Sequence, residues 1–209
     1  MSIDRSVATL TIDGVDQTSP SKMARLISDV LSPPAMIVPM ALLPLWYCEA
    51  GGWKFSVLYI GMLVLIPIAF VFYLVRSGQV QDIHLPHRRE RWLPCLLVAG
   101  SSVGALGLFH LCHAPSPFIS LASALAVLST LLLSITLFWK ISIHAASTTG
   151  MVTLTMLIVG EQTMALALLI PVVGWARVHL RRHSLMQVVA GSLLGALTLI
   201  LLIDPAHWL

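Results

Sequence analysis

Residues 140–195 read K ISIHAASTTG MVTLTMLIVG EQTMALALLI PVVGWARVHL RRHSLMQVVA GSLLG. A polar step, Lys140 to His144, opens the stretch. Two apolar runs follow, 145–159 and 163–175, parted by Gly160-Glu161-Gln162. A basic knot from Arg177 to His183 comes next, and the last apolar run carries small residues at Gly191 and Gly195. Arginine and histidine are costly inside a bilayer. Here they gather where apolar runs end, so their charged groups can face a polar ligand. The stretch reads as membrane helices carrying one half of an anion site, with the other half expected at Asp82–Arg91.

The composition agrees. The chain of 209 residues is 57% hydrophobic and only 10% charged, with a mean hydropathy of +0.91. A soluble domain carries about 25% charged residues, so an ordinary soluble protein is excluded. The net charge of +3 says little by its size; its distribution says more. Cys48, Cys95 and Cys112 lie in or beside apolar runs and fit no metal spacing. They are expected to be buried free thiols. Residues 1–32 are polar and lack the basic start and immediate apolar core of a signal peptide. The first apolar run is therefore expected to remain as an anchor.

Within that polar tail, Met23, Leu26, Ile27 and Val30 or Leu31 fall at helical spacing. They suggest a short helix, either lying on the membrane surface or simply solvated. Pro33-Pro34 breaks the chain, and residues 33–209 form the membrane domain. Apolar runs lie at 34–48, 55–75, 92–111, 117–139, 145–159, 163–175 and 184–203. A spanning helix needs about 20 residues. The first run is short and holds Pro39 and Pro44. The runs at 145–159 and 163–175 compete with a single buried helix. Two helices with a tight turn are preferred, because Glu161 would be expensive in the bilayer centre. The expected fold is an all-α polytopic membrane bundle of about six to seven transmembrane helices.

With seven spans, the tail, the 76–91 loop, Lys140–His144 and Arg177–His183 share one side. Of the 12 basic residues, only Lys54 falls on the other. The positive-inside rule then puts the basic side, and the active site with it, on the cytoplasmic face. Gly100/Gly104 and Gly191/Gly195 are small-xxx-small pairs that permit close helix packing.

Three polar clusters converge on that side: Asp82 to Arg91, Lys140 to His144, and Arg177 to His183 followed by Gln187. Together the named stretches hold six arginines, one lysine and five histidines. Arginine presents a rigid fork of donors suited to phosphate oxygens. Histidine serves as nucleophile or proton donor near neutral pH. Arginines with two well-placed imidazoles are the equipment of phosphoryl transfer without metal. One imidazole attacks phosphorus, the other protonates the leaving oxygen, and the guanidiniums hold the charge.

These residues resemble the type-2 phosphatidic acid phosphatase superfamily, whose signatures are KxxxxxxRP, PSGH and SRxxxxxHxxxD. Arg177 and His183 match the R and H of the third, with the same five residues between. Ser142 and His144 match the S and H of the second, and Arg89 the R of the first. The resemblance covers about 82–195 and implies the following roles. His183 is the nucleophile and His144 the general acid. Arg89, Ser142 and Arg177 bind the phosphate, and no cofactor or metal takes part. It also implies a lipid phosphate or polyprenyl diphosphate substrate, drawn from the lipid bilayer; nucleic acid is not an expected partner.

Several positions depart from the pattern. Asp82 stands in place of Lys, a loss that Lys140 is placed to make up. Trp92, rather than Pro, follows the arginine cluster. Ile141 and Ile143 replace Pro and Gly, and Ala176 replaces Ser. Gln187 replaces the Asp that orients the nucleophile; as i+4 from His183 it shares a helix face with it and can accept the imidazole N–H.

Taken alone, Arg88, Arg89, Arg91, Arg181 and Arg182 read as interfacial anchors, and His84, His87 and His179 as loop or surface residues. Asp82 reads as a salt-bridge partner for Arg88 or Arg89, or as a Mg²⁺ ligand in an isoprenoid diphosphate lyase or transferase. A non-catalytic binder or carrier of lipid phosphates is the third reading, kept open by Gln187.

Overall fold

A computed structural model describes residues 22–48, 51–79 and 88–208, and of residues 88–91 and 207 the backbone alone. Among the described residues there is no strand. The helices run α1 (Lys22–Val30), α2 (Pro33–Leu42), α3 (Trp53–Ile60), α4 (Ile66–Arg76), α5 (Arg88–Leu111), α6 (Ser116–Phe138), α7 (Ile143–Val159), α8 (Leu169–His179) and α9 (Leu185–Leu202). The chain is an all-α membrane-type bundle. Among the described residues, five helical segments are long and apolar enough to cross a membrane: Lys22–Tyr47, Trp53–Arg76, Trp92–Leu111, Ser116–Phe138 and Leu185–Leu202.

The proline punctuation acts as its chemistry dictates. Pro33 and Pro34 open α2, where a missing N–H costs nothing. Only Leu31 and Ser32 separate α1 from α2, so the first apolar segment extends back to Lys22. Pro44 falls in the first turn of a 3-10 stretch, Leu43–Tyr47, that completes this segment. Between α3 and α4, residues Gly61–Leu65 widen into a π-helical turn. Pro67 would clash with the carbonyl of Leu63, four residues back, and the wider turn lets the helix pass that point.

The weak pair of runs resolves as two helices. Helix α7 stops at Val159, and Gly160 takes φ 102, a conformation that favours glycine. Glu161 is exposed at the turn. The return leg begins as an eight-residue 3-10 helix, Glu161–Leu168, and continues as the eleven residues of α8. A 3-10 helix rises about 2.0 Å per residue against 1.5 Å for an α-helix. The return leg therefore reaches about 32 Å, comparable to a hydrocarbon core of about 30 Å, although its α-helical part is short.

Helix α9 lies on α7 through its glycines. A β-carbon on Gly191 would run into the carbonyl oxygen of Ser142, and one on Gly195 into that of Ala146. The backbones therefore touch. Gly100 and Gly104 make no comparable approach: nothing lies within 4 Å of a β-carbon on Gly100, and only the Met62 methyl at 3.6 Å meets one on Gly104. Helix α6 forms the centre of the core with Phe118, Leu121, Ala122 and Leu125. Phe118 joins an aromatic cluster with Phe109, Phe55 and Tyr59. Outward, α9 shows Leu193, Leu197, Ile200 and Leu201, the side that a lipid solvent accepts.

The expectation for the cysteines needs correction. None of the three is in a disulfide, but Cys48 and Cys95 are only half-buried and Cys112 is exposed. Cys112 sits in the short α5–α6 connection rather than inside a helix. Partial burial pushes the Cys48 thiol up from its ordinary value, which makes it less nucleophilic.

Candidate active site

The five-residue interval between Arg177 and His183 is a helix-ending motif. Helix α8 closes with Arg181 in the left-handed conformation, φ 52. The Arg181 N–H donates to the Val178 carbonyl at 2.9 Å, and the Arg182 N–H to the Arg177 carbonyl at 3.1 Å. This is a Schellman ending, with arginine where glycine is usual. The His183 N–H also reaches the Arg177 carbonyl, at 3.3 Å. Arginine and histidine are thus parts of one rigid turn. Both are buried, Arg177 at 3% and His183 at 6% relative exposure.

Helix α9 starts immediately afterwards with a capping box. The Gln187 N–H donates to Ser184 Oγ at 3.4 Å, and the Ser184 N–H donates to Gln187 Oε1 at 3.2 Å. His183 Nδ1 lies 3.1 Å from the same Oε1. The cap decides the chemistry of the ring. A backbone N–H can meet only an acceptor, so the amide atom at that position is oxygen. An oxygen facing Nδ1 requires the proton there. Neutral His183 is therefore the Nδ1–H tautomer, with its lone pair on Nε2.

The second cluster is joined to the third through backbone. Ser142 is the N-cap of α7, accepting the Ala145 N–H at 3.4 Å, and it is completely buried. Its own N–H donates to the Gln187 carbonyl at 3.2 Å. The first turns of α7 and α9 are thereby stitched together beside the Gly191 contact. His144 follows in the first turn of α7, half-buried.

His144 and Arg177 share the wall of a cavity of about 510 Å³. Asp29, Ser32 and Ser147 join them on its wall. The rest of the wall is largely apolar, with Ile37, Leu63, Phe72, Val98, Leu128 and Leu132 among its residues. The volume suits one drug-sized ligand. Ser142 and His183 are not among its lining residues; both belong to the stitched turns, where the His183 N–H meets the Arg177 carbonyl. Lys140 is half-buried in the α6–α7 connection and is also not on the wall. Asp82 lies outside the described residues, and so does the side chain of Arg89, whose backbone belongs to the first turn of α5.

Sequence reading did not single out Ser28, Asp29, Ser32 or Ser147. Arg177 Nη1 donates to Ser28 Oγ at 2.7 Å, and Ser28 is 3% exposed. The one local signal was Ala24 and Ser28, small residues four apart on the face of α1 opposite Met23, Leu26 and Val30. Ser147 lies three residues beyond His144, on the same helix face.

The family model of the PAP2 superfamily matches residues 98–207, just over half of the chain. No curated protein and no solved structure matches it. The matched range contains Ser142, His144, Arg177, His183 and Gln187; Asp82 and Arg89 lie before it.

Proposed function

Because this chain belongs to the PAP2 superfamily, a family of phosphatases acting on phosphate esters, we propose that it hydrolyses a lipid phosphate or isoprenoid (di)phosphate through a phosphohistidine. The observation that carries this reading is the cavity on which His144 and Arg177 meet a long apolar wall. A phosphate head held by the guanidinium would have its hydrocarbon chain inside the bundle. An apolar wall offers few partners to the hydroxyls of a sugar or nucleoside, whose burial would then be costly, so the wall favours a chain-bearing ester over a free sugar or nucleotide phosphate.

In the mechanism, His183 Nε2 attacks phosphorus. The N–P bond forms as the bond to the leaving oxygen breaks, and His144 gives its proton to that oxygen. Water, deprotonated by His144, then attacks the phosphohistidine and releases inorganic phosphate. Gln187 keeps the Nδ1 proton in place through both steps. It lacks the charge that a carboxylate would lend to the imidazolium, so its help is directional rather than electrostatic. Arg177, with Arg89 and Lys140 from the flanking segments, would hold the phosphoryl oxygens. Asp82 would position the arginines beside it. The N-terminus of α7 adds a field favourable to the anion. The resemblance requires no metal or cofactor for these steps. Positive-inside reasoning supports a cytoplasmic site.

The test is phosphate release by the purified protein from phosphatidate, phosphatidylglycerol phosphate and polyprenyl diphosphates, with and without EDTA. His183→Ala should abolish release. Full activity in that variant, or loss of wild-type activity to EDTA, refutes the metal-free phosphohistidine route. Tight binding of these lipids without turnover would instead make the protein a carrier.

A further inference from the structure

We infer that Ser28, from the first helix of the chain, is a positioning residue for the phosphate-binding guanidinium of Arg177. This inference rests on the phosphatase reading and adds to it a part of the site outside residues 98–207, where the family match lies.

The evidence is the way Ser28 uses its hydroxyl. Serines in apolar helices commonly bond back to their own helix. In this chain Ser102 donates to Val98, Ser123 to Ile119 and Ser134 to Thr130, each four residues back. Ser28 instead accepts from Arg177 Nη1 at 2.7 Å, a partner 149 residues away. Both side chains are buried, and a charge-assisted bond is worth more there than at a surface. A helix of nine residues does not hold itself in water. Helix α1 is held by packing on α8 through buried Ala24 and Ser28.

A hydroxyl suits this task. It orients the fork without cancelling its charge, as a carboxylate at the same place would. The five N–H donors of a guanidinium lie in one plane, so a bond from Nη1 to Ser28 fixes that plane and with it the direction in which the fork meets a phosphate. A long side chain that must otherwise be ordered when the phosphate arrives is ordered beforehand. Asp29, the next residue, lines the cavity with Arg177, so the end of α1 stands at the site itself.

The test uses the full chain and orthovanadate, a mimic of the phosphoryl group in transfer. Ser28→Ala should weaken vanadate binding roughly tenfold, with a matching fall in kcat/KM and little change in the unfolding midpoint without ligand. Ser28→Thr keeps the hydroxyl and should stay within about threefold of wild type. In an Arg177→Ala background, Ser28→Ala should add nothing to the loss, because the two act as one unit. Should Ser28→Ala fail to fold, Ser28→Cys, a near-isostere with a weaker acceptor, reads the same affinity.

Wild-type vanadate affinity in folded Ser28→Ala or Ser28→Cys overturns the inference and leaves the phosphatase reading standing. Equal and additive losses with and without Arg177 overturn it too, since they mark a general packing role. A wild-type protein that neither binds vanadate nor releases phosphate overturns the phosphatase reading, and this inference with it.

Discussion

Gln187 Oε1 accepts the Ser184 N–H and stands 3.1 Å from His183 Nδ1, so one amide oxygen caps a helix and sets a histidine tautomer. The cap and the ring orientation cannot be separated in this sequence. A residue chosen for either task is constrained by the other.

Replacing Gln187 by Leu should therefore damage two properties at once. Loss of the Ser184 N–H bond, the half of the capping box that Gln187 supplies, should cost about 0.5–1 kcal/mol of stability. Loss of the tautomer control should lower kcat by roughly ten- to a hundredfold. Gln187→Glu keeps an oxygen at the same reach and should preserve the cap and most of the activity, or exceed it. Phosphate-release kinetics alongside thermal unfolding in detergent separate the two effects. A Leu variant with unchanged kcat would remove Gln187 from the mechanism.

Gly191→Ala and Gly195→Ala should both be damaging, because the added methyl meets a carbonyl oxygen of α7 that belongs to the helix backbone. Forcing the helices apart should cost about 1–3 kcal/mol and part the Ser142–Gln187 bond. Gly100→Ala is the control. It meets open space, and the gain in helix propensity of up to about 1 kcal/mol should leave the protein as stable as before or more so. Unfolding midpoints of the three variants check the contrast.

Arg181→Gly should stabilise the protein. A non-glycine residue in the left-handed region carries roughly 1–2 kcal/mol of strain, and glycine removes it, offset in part by its greater freedom when unfolded. The expected net gain is about 0.5–1 kcal/mol with activity retained, read by denaturant titration and phosphate release. A loss of activity would give Arg181 a role in the site beyond ending the helix.

Filling the cavity should discriminate between substrates. Val98→Trp adds bulk to the apolar wall. It should raise KM for long-chain lipid phosphates at least several-fold and spare a small soluble ester such as p-nitrophenyl phosphate. Equal effects on both substrates would mean that the hydrocarbon chain does not lie in this cavity.

The membrane character, the helical class and the short intervals that carry the family resemblance were legible in the sequence, because each depends on local properties. Apolar runs of about 20 residues have one stable form in lipid. The turn at Gly160-Glu161-Gln162 follows from the cost of placing Glu161 at mid-bilayer. The Arg177–His183 interval is a single helix ending, and the His183–Gln187 pair a single helix start, so both are short-range facts that spacing encodes. Contact between helices is different in kind. Nothing in the pattern distinguishes Gly191/Gly195, which touch α7, from Gly100/Gly104, which do not, since both pairs are small residues four apart and the partner surface lies elsewhere in the chain. The bond between Ser28 and Arg177 crosses 149 residues and joins a segment read as a surface or solvated helix to the wall of the cavity. Such a contact exists only once the helices have packed, and it is the tertiary arrangement that makes a common serine the partner of a buried arginine.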